Sequence, residues 1–228
     1  MRLAKPRVDI GLSTNNLAPM LQFWQGVVGL PFDHLLPIRA GQDQYRHDAN
    51  GSVLKINHHA APLADTAPSG YEELIVAQEN RTAREALTDP DGNRVTLAPI
   101  DPKGVRQIGI VLGVRDLQAH RQFYTSVLGL EEEQDKGGAA FRAGETLILL
   151  RENERAEADA QIAGRGWRYI TFQVFKVDDE HQQAIAAGGR EGMAPITLGQ
   201  TARISMIRDP DGNWIELSQR ASIVGSLT

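Results

Sequence analysis

The sequence DPDGN occurs twice, at Asp89 to Asn93 and at Asp209 to Asn213, and the two copies continue differently, as RVTL and as WIEL. The second copy therefore carries a carboxylate, Glu216, where the first carries the hydroxyl of Thr96. Side chains alternate along a strand, so Trp214 and Glu216 share one face while Ile215 and Leu217 take the other. A carboxylate fixed on such a face can serve as a general base. Nearby in sequence, RYITFQV puts Tyr169, Thr171 and Gln173 on one face, and ARISMIR does the same for Arg203 and Ser205. A cation and a hydroxyl presented together suit a carboxylate or a phosphate on a ligand. A tyrosine hydroxyl with a pKa near 10 needs help to exchange a proton at neutral pH. Trp167 and Trp214 are candidates to wall a flat apolar ligand. In QIGIVLGV, Ile108, Ile110, Leu112 and Val114 point to a core, leaving Gln107 on the face that could meet Glu216. Each group also has a plain structural reading. Glu216 can simply accept a hydrogen bond from Gln107 or Tyr169, Arg203 can pair with a surface acid, and the tryptophans can be core. The pair His58 and His59 in INHH points to opposite faces of a strand and cannot easily share one ion. His181 sits in a helical stretch.

The elements that must position these residues come from an internal repeat. VDIGLSTNNLAPMLQFWQGVVGL aligns with IGIVLGVRDLQAHRQFYTSVLGL at an offset of 100, matching Leu17 with Leu117, Phe23 with Phe123 and Gly29 with Gly129. Each copy reads as a strand, a polar turn, and an amphipathic helix closed by a glycine. At DPDGN, a tight hairpin turn by composition, the offset has grown to 120. The first half lacks about one helix and one strand. In the second half that interval holds KVDDEHQQAIAAGGREGM and ARISMIR; in the first it shrinks to ENRTAREAL. The two prolines and the glycine of APIDPKG mark a linker, which divides the chain into residues 1–102, abbreviated, and residues 103–228, complete.

Composition narrows the function classes. Of the 228 residues 41% are hydrophobic and 23% charged, ordinary values for a water-soluble globular chain, and no run of about 18 apolar residues is present to span a bilayer. The N-terminus lacks the apolar segment of a secretory signal, so a cytoplasmic location is expected. A formal charge of −5 speaks against a nucleic-acid partner. Without cysteine there is no disulfide, thiolate ligand or cysteine nucleophile.

The combination of a DL turn, a helix closing on FYTSVLGL and a late hairpin DPDGNWIEL resembles the vicinal oxygen chelate superfamily. That group contains glyoxalase I, extradiol dioxygenases, methylmalonyl-CoA epimerase and the bleomycin and fosfomycin resistance proteins. The resemblance implies an α+β fold of two tandem domains, residues 7–97 and 105–218, each made of paired βαβββ units around a cupped mixed sheet. It implies a small organic ligand in the C-terminal cup, with the first cup structural, and makes a homodimer the expected assembly. In metal-using members His, Gln or Glu side chains hold a divalent cation, and here Glu216 matches the last-strand ligand. Gln107 falls near the first-strand position, or Gly109 does, depending on where the alignment is anchored. Tyr169 stands at a histidine position. In the first half the matching positions are Asp9, Lys55, Tyr71 and Thr96. Two functions follow. One is a metal-assisted lyase, isomerase or dioxygenase, with Fe, Mn, Ni or Zn held by Glu216 and Gln107, Tyr169 assisting catalysis, and Arg203, Ser205, Trp214 and Thr171 binding substrate. The other is a metal-free protein that binds or sequesters a small molecule.

Overall fold

The computed structural model describes residues 1–227. The first half contains β1 (Leu3–Thr14), α1 (Leu17–Leu21, continued by a π-helical turn over Gln22–Val27), β2 (Phe32–Arg39), β3 (Gln42–Ala49) and β4 (Ser52–His59). It continues with β5 (Tyr71–Gln78), β6 (Glu85–Thr88) and β7 (Arg94–Pro99). The second half repeats the pattern with β8 (Ile108–Val114), α2 (Leu117–Gln122, with a π-helical turn over Phe123–Val127), β9 (Glu131–Glu133), β10 (Ala139–Ala143) and β11 (Thr146–Glu152). Then come β12 (Gly166–Val174), α3 (Val177–Ala186), β13 (Arg190–Leu198), β14 (Ala202–Arg208), β15 (Trp214–Arg220) and α4 (Ala221–Val224).

Both long helical segments stop where expected, because Gly29 and Gly129 adopt positive φ. The amides of Leu30 and Leu130 then close onto the carbonyls of Trp24 and Tyr124. The first half is abbreviated as the repeat predicts, but the missing strand is the counterpart of β13. ARISMIR, as β14, has its short equivalent in β6, since β6 pairs with β7 as β14 pairs with β15.

The strands form two mixed sheets, an eight-stranded one in the order β13-β14-β15-β12-β1-β4-β3-β2 and a seven-stranded one in the order β6-β7-β5-β8-β11-β10-β9. The expectation that each half closes its own cup is corrected here. β1 lies antiparallel to β12, with Asp9 opposite Thr171 and Gly11 opposite Tyr169. β5 lies antiparallel to β8. Each sheet therefore takes strands from both sides of the 102–103 division. The physical reason is edge satisfaction: β1 and β12 are buried apolar strands with two open edges, and each needs partners on both sides.

Alternation then sorts the side chains. Val8, Ile10 and Leu12 of β1, Leu54 and Ile56 of β4, and Ile170 and Phe172 of β12 face one continuous core shared with Leu74, Ile108, Ile110 and Ile148 of the second sheet. Met20, Trp24, Phe123 and Tyr124 from the helical segments fill it. The other faces are concave. In the seven-stranded sheet that face is apolar, with Ile75, Ala77, Ala98, Val105, Val111, Leu147 and Leu149 clustered on it.

The DPDGN turns do more than reverse the chain. In each, the Asn side chain donates from Nδ2 to the first Asp, Asn93 to Asp89 at 2.8 Å and Asn213 to Asp209 at 2.9 Å. Its Oδ1 then accepts the amide that starts a strand of the opposite half: Gly70 N donates to Asn213 at 2.6 Å, and Trp167 N to Asn93 at 3.3 Å. Asp209 also lies 3.4 Å from His120 of α2. Burial disfavours the imidazolium of His120, but Asp209, the Asp116 carbonyl and Asp211 together raise its pKa.

Asn213→Ala leaves the buried Gly70 amide unpaired and should cost about 1–3 kcal/mol in urea unfolding; an unchanged midpoint would show that the clamp carries no stability. The folded state holds the His120 proton more tightly than the unfolded chain does. Its contribution is therefore complete below the ordinary imidazole value of 6.5 and lost as pH rises through the raised value. Stability should fall as pH rises from the ordinary imidazole value of 6.5 through the raised value in the native protein, and fall less in His120→Gln.

Candidate functional site

The concave face of the eight-stranded sheet is polar. Its floor is set by the rows of the register: Arg46 opposite Lys55, Lys55 beside Gly11, Gly11 opposite Tyr169, and in the next row Asp9 opposite Thr171 beside Glu216. Residues 9, 46 and 55 come from the first half and residues 169, 171 and 216 from the second. Lys55 Nζ is the hub. It donates to Glu216 Oε1 at 2.9 Å and to Thr171 Oγ1 at 2.7 Å, and it lies 5.2 Å from the centre of the Tyr169 ring. Lys55 is 4% exposed and Glu216, the most open group of the floor, 9%. Burial pushes the Lys55 pKa down, and Glu216 and Asp9 offset only part of this, so it stays below the ordinary lysine value. Asp9, itself fully buried, accepts hydrogen bonds from Lys5 Nζ at 2.9 Å and Gln173 Nε2 at 3.0 Å. Burial opposes its ionisation, yet Lys5 and Lys55 outweigh that and hold its pKa below the ordinary value.

Around the hub the amides are ordered in a chain. Gln44 Nε2 donates to Asn57 Oδ1 at 2.9 Å, Gln44 and Asn57 both donate to the Tyr169 hydroxyl, and Arg46 donates to Gln44 Oε1 at 2.6 Å. Tyr169 lies over Gly11, where a β-carbon would collide with its ring. Burial, followed by the nearby Glu216 charge, raises its pKa, so its hydroxyl stays protonated. The walls are less polar. Directly opposite residues share a face, so Met206 across from Glu216, Ile204 across from Ser218 and Leu36 across from Gln44 line the cup, each only partly buried.

Of the residues expected at the site, Glu216, Thr171, Tyr169 and Trp214 stand on this face. Trp214 is walled in: its Nε1 donates to Ala160 O at 2.8 Å, and Arg208 stacks on its ring at 3.7 Å. Four expected groups are elsewhere. Gln107 lies just before β8, in the other sheet, where its Nε2 donates to Ala49 O and Ser52 Oγ, both at 2.7 Å, and fastens the turn between β3 and β4. It misses Glu216 because the strands pair across the halves. Arg203 and Ser205 point away from the cup, because the register that sets Met206 against Glu216 turns their side chains toward α3. Arg203 forms a fork with Asp178 of α3 at 2.5 and 2.6 Å, and Ser205 is buried. Trp167 belongs to the core, edge-on to Trp24 at 5.8 Å. Reading the halves as separate cups hid Lys55. Its position was on the list of first-half matches, but nothing in the local sequence says that it meets Glu216.

The donor set does not fit the divalent cation that the resemblance implies. Gln107 is in the other sheet, Glu216 and Asp9 are both engaged with ammonium groups, and the place where their charges converge holds Lys55 Nζ. Among the described residues no group of three or more His, Cys, Asp or Glu side chains converges as a metal site. No helix is long and apolar enough to cross a membrane.

Comparison with known proteins gives a family match over the second half of the chain and the fold of the whole. The profile described as Glyoxalase/Bleomycin resistance protein/Dioxygenase superfamily matches residues 106–217. Glyoxalase I from Zea mays superposes with a TM-score of 0.79 at 14% identity, covering 98% of this chain and 94% of that one. A candidate dioxygenase from Bacillus subtilis gives 0.71 at 12%, covering 96% and 86%. These likenesses establish a tandem α+β fold with two curled mixed sheets.

Removing one partner of a buried ion pair strands the other charge. Glu216→Gln should therefore cost about 3 kcal/mol. Lys55→Met combined with Glu216→Gln should cost clearly less than the sum of the single changes; additive losses in a double-mutant cycle would show that the two groups do not depend on each other.

Proposed function

We propose, for a chain whose residues 106–217 belong to the Glyoxalase/Bleomycin resistance protein/Dioxygenase superfamily, that it binds a small organic molecule in the polar concave face of the eight-stranded sheet without a divalent metal. The observation that carries this reading is the Lys55 ammonium, hydrogen-bonded to Glu216 and Thr171 and buried between the two halves. It supplies the positive charge to which oxygen atoms of a ligand can be drawn. The family often uses a metal for that purpose; here a covalently attached cation stands among the carboxylates instead. Its charge is single where a metal's is double, so it orients and polarises an oxygen more weakly. The walls of Leu36, Ile204 and Met206 provide the apolar surface that small-molecule sites combine with a few placed polar groups.

This reading differs from the first expectation in two respects. The cup is assembled from both halves, so the ligand does not belong to the C-terminal half alone. Binding is the supported activity, with Tyr169 as a hydrogen-bonded floor group in place of a proton-transfer group. The expected homodimer is retained as the proposed assembly.

Metal titration tests the central point. The native protein, purified without chelator or affinity metal, should hold no stoichiometric Fe, Mn, Ni or Zn by elemental analysis and should take none up at micromolar concentration. Lys55→Ala, which frees Glu216 and removes the neighbouring positive charge from Asp9, should gain uptake. One equivalent of metal bound by the native protein would overturn the metal-free reading.

A further inference from the structure

The floor of the polar cup has more positive than negative charge. Arg46, Lys55 and Arg220 stand against Asp9, Glu216 and the exposed Asp33 of β2, and Asp9 is already shared with Lys5. Burying an unbalanced cation is costly unless an anion accompanies it. The shortage falls on the two guanidinium groups. Arg46, on β3, is 4% exposed; it gives one bond to the neutral Gln44 amide, and its Nε is buried without a partner among the described residues. Arg220, at the end of β15, is partly buried, separated from β3 by three strands in the sheet order, and makes no side-chain hydrogen bond among the described residues. Burial, with the like charge of Arg46 next, lowers its pKa. The register explains why both point inward: Arg46 is across from cup-facing Lys55, and Arg220 is two residues beyond cup-facing Ser218 on the same strand.

Two guanidinium groups that repel each other, with unused donors and no carboxylate hydrogen-bonded to either among the described residues, form a receptor for one more anion. A planar carboxylate matches the parallel N–H donors of a guanidinium and would cancel the surplus charge. We infer that the molecule bound in the concave face carries a carboxylate, held by Arg46 and Arg220 beside the Lys55 and Glu216 pair. This inference rests on the proposed location of binding and adds the chemical class of the ligand. Specificity follows from the same arithmetic. An uncharged analogue would leave the arginine pair uncompensated, so the site discriminates by charge before it discriminates by shape.

The test uses the full chain and two matched pairs of probes, benzoate with benzamide and pyruvate with pyruvamide, titrated calorimetrically at low ionic strength. At least one carboxylate should bind at least tenfold more tightly than its amide. Arg46→Gln should remove that preference, and Arg220→Gln, nearer the surface and safer for folding, should weaken carboxylate binding at least tenfold. Adding salt should weaken the acid and spare the amide. If acid and amide bind alike, or if neither arginine change alters acid affinity while Lys55→Met does, the carboxylate inference falls and the concave-face reading stands. If no probe binds the native protein, both fall.

Discussion

Strands with open edges must find partners, and in this chain the partners are distant. β1 cannot leave its backbone unpaired in a water-free interior, and it is completed by β12 on one side and β4 on the other. β5 and β8 make the equivalent join in the second sheet. Everything at the candidate site follows from these two joins. They place residues 46 and 55 in the same concavity as residues 169 and 216, and they send Gln107 to the other sheet. The Asn93 and Asn213 clamps lock the arrangement, each anchoring an amide at the beginning of a strand from the opposite half.

The two concave faces have diverged in opposite directions. One is packed with small and branched aliphatic groups, from Ile75 to Leu149. The other holds a network of amides and charges in which most buried groups are satisfied by a neighbour, with Arg46 Nε and Gln173 Oε1 left over. Such a network specifies one arrangement of its members, because removing any of them strands another. It also fixes the electrostatics of the cup before any ligand arrives, so little reorganisation is needed on binding.

The repeat, the glycine stops at Gly29 and Gly129, the DPDGN hairpins and the abbreviated first half were legible because each depends on neighbours within a few residues. The inward-facing set Ile108, Ile110, Leu112 and Val114 was legible for the same reason, since alternation needs only a correct phase. β14 shows the limit of that signal. ARISMIR is apolar on both parities, with Ile204 and Met206 on one and Ile207 on the other. Only the pairing of Met206 with Glu216 reveals that Arg203 and Ser205 face α3. Lys55 was illegible for a deeper reason. A lysine in SVLKINHH reads as a solvated strand residue, and its meaning comes from a carboxylate 161 positions away. Strand pairing between halves is a non-local choice, made by the sum of many contacts, and no short window of sequence contains it.

The turn from Asp101 to Val105 that connects the halves is short and closed by its own hydrogen bonds, Asp101 N to Val105 O and Gly104 N to Asp101 O. Strand exchange between two separate polypeptides is a bimolecular event, favoured at high concentration and undone by dilution. Here the exchanging partners are tied end to end, so each meets the other at a fixed local concentration set by a few residues of chain. The mixed cup is thereby independent of how much protein is present. Lys55 and Glu216, although they sit in different repeats, are thereby encoded on one polypeptide, and a change at either alters the setting of the other.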